Sequence, residues 1–134
     1  MGTHFEITFD GGSLGNPGKG YGSYRITDAS GPRQVVRLDY SPHGEIVTNN
    51  QAEYRTLIAA LHQISSEVSP RQNQVRVRVV GDSQLVLNQL KGSWKVKNAD
   101  LKPLHAQASE LIKAFENVEL SWRGRDWAVE VLGH

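Results

Sequence analysis

The sequence predicts an α/β fold, a single mixed sheet with helices packed against it. Three observations lead there. The run Phe5-Glu6-Ile7-Thr8-Phe9-Asp10 alternates apolar and polar residues, as a half-buried strand does. Leu57, Leu61, Ile64 and Val68 recur at helical spacing. Val75, Val77 and Val79 then return to the strand period, in a run dense in β-branched residues.

Taken in order, the first strand covers about 4–10, and Gly, Asn and Pro make a turn of 11–20. Tyr21 to Thr27 forms a second strand, with Tyr24 and Ile26 on one face, and Gln34 to Tyr40 a third. Thr48-Asn49-Asn50-Gln51 has the form of a capping box and opens the long helix, which Ser69-Pro70 stops. After the central strand at 75–80, Ser83 to Leu90 reads as a short helix ended by Gly92. Asp100 or Asn98 is placed to cap a third helix of about 101–115, with Pro103 in its first turn. That helix buries Leu104, Ala108, Leu111, Ile112 and Phe115. Val118 to Trp122 is the last strand. The order β-β-β-α-β-α-α-β calls for a mixed sheet flanked by helices. The 134 residues fit one domain, and no linker or low-complexity segment divides them.

Composition removes several function classes. With no cysteine there is no disulfide and no thiolate metal site. A formal charge of +1 rules out a polybasic binder, so any nucleic acid must be held by local donors and a few placed cations. No apolar run is long enough to cross a membrane. No secretory signal is visible, because Met1-Gly2-Thr3-His4 leads almost directly into a strand.

The chemistry gathers at carboxylates. Asp10 follows the first strand and precedes Gly11-Gly12-Ser13. Asp82 repeats the pattern after Val80-Gly81. Glu53 lies in the first turns of the long helix, with Leu57 and Leu61 at i+4 and i+8, near the buried face. A carboxylate there is costly unless something positive meets it. Taken singly, each has an ordinary explanation: a turn Asp, a helix-capping Asp, a first-turn Glu. One sheet that gathered all three would make a set of hard oxygen ligands suited to Mg²⁺ or Mn²⁺.

Three ordered motifs resemble the ribonuclease H type 1 family: Asp10-Gly-Gly-Ser-Leu-Gly-Asn-Pro-Gly18, Thr48-Asn-Asn-Gln-Ala-Glu53-Tyr, and Gly81-Asp82-Ser-Gln-Leu-Val. Asn88 to Asn98 resembles the family's plant, archaeal and some bacterial members, and the match covers about residues 4–122. The resemblance implies a ribonuclease H-like, five-stranded mixed sheet of order 3-2-1-4-5, with strands 1 to 3 antiparallel. It implies Asp10, Glu53 and Asp82 as metal ligands, with two Mg²⁺ or Mn²⁺ ions when substrate is bound. One ion would activate a water and the other would stabilise the leaving 3′ oxygen. The implied reaction is endonucleolytic hydrolysis of the RNA strand of an RNA–DNA hybrid, leaving a 5′-phosphate and a 3′-hydroxyl.

By the same resemblance, Gly11, Gly12, Ser13, Asn16, Asn50 and Gln84 contact the hybrid minor groove, where 2′-hydroxyls distinguish RNA from DNA. Thr48 and Asn49 belong to a pocket for a DNA phosphate. Trp94 and Lys95 face the DNA strand, within a basic stretch that includes Lys91, Lys97 and Lys102. The expected location is cytoplasmic. Two other classes stay open: a catalytically weak or inactive hybrid-binding module, and a DNA nuclease or integrase-like relative.

The chain departs from the family pattern over 123–134. The family usually shows a loop His or Arg and then Asn-x-x-Ala-Asp, which supplies a fourth acidic ligand. Register from the last strand puts Ala128 at the Asn and Val131-Leu132 at Ala-Asp. Glu130 with a shifted backbone, Asp126, or no fourth ligand are the three readings, and Glu130 is the candidate adopted. His134, at the terminus, reads either as a frayed residue or as one that helps a leaving group depart or helps release product. The expected state is a monomer, while the apolar run from Trp127 to Leu132 offers a contact to the sheet or to a second copy.

Overall fold

The computed structural model describes residues 3–133, so His134 lies outside the described residues. Ten main elements follow one another: β1 (Thr3–Leu14), β2 (Lys19–Asp28), β3 (Gly31–Pro32), β4 (Val36–Asp39), α1 (Asn49–Val68), β5 (Val75–Gly81), α2 (Gln84–Lys91), α3 (Lys102–Ala114), β6 (Asn117–Trp122) and α4 (Arg125–Leu132). The sheet order is β3-β2-β1-β5-β6, with β4 also paired to β2. β1 and β2 are antiparallel, whereas β1–β5 and β5–β6 are parallel. This is the expected 3-2-1-4-5 order, with the third place shared by two short strands.

Alternation explains the core. Phe5, Ile7 and Phe9 of β1 and Val75, Val77 and Val79 of β5 all point to one face. There they meet Leu57, Leu61 and Ile64 of α1, each fully buried. α1 begins where its sequence says it should. Thr48 Oγ1 accepts from the Gln51 amide at 3.1 Å, and Gln51 Oε1 accepts from the Thr48 amide at 2.9 Å. α2 is capped by Ser83 and ended by Gly92 in the left-handed conformation. α4 packs on the face of the sheet formed by β1 and β2, with Ala128 and Leu132 buried, so the C-terminal apolar run makes a contact within the chain.

Three expectations are corrected. Residues 11–14 are strand, not turn: Gly11 pairs with Gly22, Gly12 with Tyr21 and Leu14 with Lys19. Glycine lacks a side chain but keeps both backbone hydrogen-bonding groups, so it can extend a ladder that a composition rule ends. The third strand, expected over 34–40, is shortened to β4, and a two-residue strand, β3, precedes it; both pair with β2. Neither Asp100 nor Asn98 caps α3; its N-cap is Leu101, and Asn98 Oδ1 instead accepts from the Asp100 amide at 2.7 Å.

Arg33 ties the far edge of the sheet to the end of α1. Its Nε donates to Asp28 at 2.9 Å, and its two terminal nitrogens donate to Glu67 at 2.8 Å each. Hydrogen bonding to Arg33 holds both carboxyls below their ordinary range. Depressed carboxyls stabilise the fold above their unfolded pKa, and that contribution is lost as pH falls through the folded values. Arg33→Ala should therefore lower Tm near neutral pH, and the gap from wild type should narrow as pH falls below about 4. Thermal unfolding followed by circular dichroism checks this, and a gap that stays constant with pH would contradict the pairing.

Candidate active site

The sheet register brings two carboxylates to one level. Phe9 of β1 pairs with Gly81 of the parallel strand β5. The next residues, Asp10 and Asp82, therefore leave that pairing side by side. Asp82 is held from β6: Trp122 Nε1 donates to its carbonyl at 3.1 Å, and the Arg123 amide donates to the Gly81 carbonyl at 2.9 Å.

The third carboxylate comes down from α1. A Cβ on Gly11 would lie 2.7 Å from the Ala52 carbonyl carbon and oxygen and from the Glu53 nitrogen. The bare backbone of β1 thus lets α1 settle directly on it, and Glu53 arrives beside Asp10. Asp10, Glu53 and Asp82 line one open cleft of about 320 Å³, together with Gly11, Gly12, Ser13, Tyr21, Asn49, Ser83 and Arg125.

The electrostatics follow from this crowding. Asp10 is buried. Burial pushes the Glu53 carboxyl up to about 7, and the charges of Asp82 and Asp10 push in the same direction, while a hydrogen bond with Ser83 opposes them. One cation stands nearby, Arg125, whose guanidinium lies 3.9 Å from Asp82 Oδ2. Its side chain is 67% exposed, so this pair holds it weakly and leaves it able to turn. Among the described residues, no three acidic or histidine side chains are drawn tightly enough to make a ready-formed ion cage.

The residues expected to touch a substrate fall in two clefts and on the exposed surface beyond them. Gly11, Gly12, Ser13 and Asn49 are in the carboxylate cleft. Asn49 Oδ1 accepts from both the Ser13 amide at 2.7 Å and the Ser13 hydroxyl at 3.1 Å, and the Asn49 amide donates to Asn16 Oδ1 at 3.0 Å. These bonds latch the β1–β2 hairpin onto the start of α1. Asn16, Thr48 and Asn50 line a separate small cleft with Gln51, Asn98, Asp100 and Leu101. Gln84 is exposed at the start of α2, and Trp94 and Lys95 are exposed on the segment between α2 and α3.

Glu130 is not brought to the carboxylate cleft. It is exposed on α4. Ala128 and Leu132 take the buried side of that helix, and a residue two positions from each points roughly 200° away, to the opposite side. Asp126 is exposed as well and does not line the cleft. α4 presents Arg125 instead. The structure gathers three carboxylates and a guanidinium rather than four carboxylates.

Sequence reasoning missed Arg125 and Tyr21. Tyr21 sits opposite Gly12, and its hydroxyl fills the space a Gly12 side chain would need, with only 2.7 Å to a built Cβ. Pairing Asp10 with Ser23 puts Tyr21 on the Asp10 face by the two-residue period, a signal that appears only once β1 is known to run through Gly12.

Comparison with known proteins agrees with this geometry. Residues 9–130 match the family model described as reverse transcriptase-like. A bifunctional protein of Mycobacterium tuberculosis is 38% identical over 117 residues, 87% of this chain and 30% of that protein. The solved structure of its N-terminal RNase H domain, a fusion with maltose-binding protein, superposes with a TM-score of 0.82 at 32% identity, covering 96% of this chain and 87% of that one. Ribonuclease HI of Halobacterium salinarum is 38% identical over 109 residues, 81% of this chain and 51% of that protein. The chain thus spans about a third to a half of the length of these relatives. LC11-RNase H1, solved in complex with an RNA/DNA hybrid, has a TM-score of 0.82 at 28% identity, covering 94% of this chain and 89% of that one. The chain belongs to the reverse transcriptase-like, ribonuclease H type 1 family.

Proposed function

We propose that this chain is a divalent-metal-dependent endonuclease that cuts the RNA strand of an RNA–DNA hybrid, leaving a 5′-phosphate and a 3′-hydroxyl. The observation that carries the reading is the convergence of Asp10, Glu53 and Asp82, from β1, α1 and the end of β5, on one open cleft. The hybrid in the LC11-RNase H1 complex supports the choice of substrate.

The donors fit a hard cation. Three carboxylates meet there without a thiol, and Glu53 has a carboxyl raised by burial and by its acidic neighbours. Asp10, Glu53 and Asp82 would hold the metal. Bound there, Mg²⁺ or Mn²⁺ would supply an activated water and a Lewis acid for the leaving oxygen. The chain's own groups do the rest. Ser83 orients Glu53 by its hydrogen bond, Trp122 fixes the Asp82 backbone, and Arg125 offers a guanidinium to a phosphate oxygen. Ser13, held by Asn49, shapes the adjoining wall for the sugar edge of the RNA strand.

A second reading is a hybrid-binding module with weak cleavage, favoured by α4, which exposes Glu130 and puts a cation at the cleft. One assay separates the two: labelled hybrid, duplex RNA and duplex DNA, each with Mg²⁺ or Mn²⁺. Only the hybrid should be cut, and Asp10→Asn should reduce the rate by at least about a hundredfold. Arg125→Ala should lower kcat/KM by about tenfold through a lost phosphate contact. Glu130→Gln should leave rate and metal dependence unchanged. Tight hybrid binding without cleavage in either metal would decide for the second reading.

A further inference from the structure

Gln89 lies on α2, outside the carboxylate cleft, and yet it joins three separate elements. It is buried, at 6% exposure. Its Oε1 accepts from the Tyr54 hydroxyl of α1 at 2.6 Å. Its Nε2 is 3.3 Å from the Lys95 carbonyl. Its own carbonyl lies 3.1 Å from His105 Nε2 of α3. The amide's orientation is fixed by chemistry: a carbonyl can only accept, so the NH₂ group must face Lys95 and the oxygen must face Tyr54.

Both ends of this chain of bonds matter. Tyr54 is fully buried and follows Glu53 directly on α1. Lys95 and Trp94 belong to the segment 92–101, which contains no helix or strand. Trp94 is 46% exposed. Beyond the Gln89 contact, the start of this segment is held by the Asn88 carbonyl, which accepts from the Ser93 and Trp94 amides at 2.9 and 3.2 Å. An aromatic ring and an ammonium group, on a segment without its own helix or strand, are thus tied by one buried amide to the helix that carries Glu53, while Val96 and Leu101 further along seat the segment on the core.

We infer that Gln89 is a positioning residue, which fixes segment 92–101 as an arm at a set offset from the carboxylate cleft so that Trp94 and Lys95 meet the DNA strand of the hybrid. The inference rests on the function proposed above and specifies how that function reaches the second strand. Only a neutral amide serves at this position. Ionised glutamate would accept from Tyr54 but could not donate to Lys95, and methionine has no donor and only a weakly accepting sulfur.

The test is hybrid affinity, measured by fluorescence anisotropy with Ca²⁺ in place of Mg²⁺ to limit turnover, alongside kcat and KM with Mg²⁺. Gln89→Met should weaken binding and raise KM by about tenfold, with kcat nearly unchanged. Tyr54→Phe, which keeps the core volume, should give a smaller change of the same kind. In a Trp94→Ala/Lys95→Ala background both changes should vanish, because the arm then has nothing to present. An equal loss of affinity in both backgrounds, or a fall in kcat at constant KM, would overturn the inference. Wild type that binds hybrid without cutting it would remove the proposed activity and leave the arm standing. Wild type that cuts hybrid while Gln89→Met binds normally would do the reverse.

Discussion

Replacing Glu53 by glutamine should stabilise the metal-free protein by about 2–3 kcal/mol near pH 8 and, at the same time, abolish hybrid cleavage. The gain comes from a charge that the fold holds at a loss. Burial raises the Glu53 carboxyl from 4.5 to about 7, and Asp82 and Asp10 add repulsion. Below the unfolded value the side chain is protonated in folded and unfolded chains alike, and glutamine changes little. As pH rises from there through about 7, the unfolded chain releases its proton readily and the folded chain resists. Wild type therefore loses stability across that window, and the glutamine variant does not. Urea unfolding in EDTA at about pH 4, 6 and 8 should show the gap opening over this range. A gap independent of pH would mean that Glu53 is not the strained group. Saturating Mg²⁺ should narrow the gap, because a cation that binds the ionised carboxylates stabilises the wild-type fold selectively.

The stretches that specify their own structure were legible in the sequence. Thr48 and Gln51 write the start of α1 in four residues, and Ser83 and Gly92 bracket α2. The carboxylate trio was legible because each member sits at a recognisable element boundary, and a mixed sheet can bring such boundaries together. What stayed hidden depends on partners distant in sequence. Gly11 and Gly12 read as a turn until β2 is seen to pair with them. Tyr21 faces the cleft only through that pairing. Gln89 reads as one polar residue on a short helix, and its part is set by Tyr54, Lys95 and His105, which lie up to 35 residues away. Glu130 was a chemically reasonable ligand by sequence, but the buried stripe of Ala128 and Leu132 fixes how α4 rolls on the sheet and leaves Glu130 exposed on the opposite side.

Gly11 carries the other large expectation: Gly11→Ala should lose about 2–4 kcal/mol of stability and at least about a hundredfold in kcat. Its backbone lies in a paired strand and not in the left-handed region, so alanine is conformationally acceptable there. On backbone preference alone, alanine would be favoured, since it restricts the unfolded chain. Sterics set the opposite sign. The added methyl would lie 2.7 Å from three main-chain atoms of Ala52 and Glu53, and main-chain atoms cannot rotate away as a side chain can. α1 has to lift from β1, and its own packing against Phe9 and Ile7 goes with it. Glu53 lifts too, which separates it from Asp10. A displacement of even about 1 Å is enough to spoil a site whose chemistry depends on placement. Gly124→Ala is the control, because a Cβ there meets nothing within 4 Å, and it should change stability by less than about 1 kcal/mol. Denaturant unfolding and single-turnover cleavage of the two variants, measured together, distinguish contact from glycine replacement as such. If Gly11→Ala kept wild-type stability and rate, α1 would not rest on bare β1 backbone, and the route by which Glu53 reaches the two aspartates would have to be different.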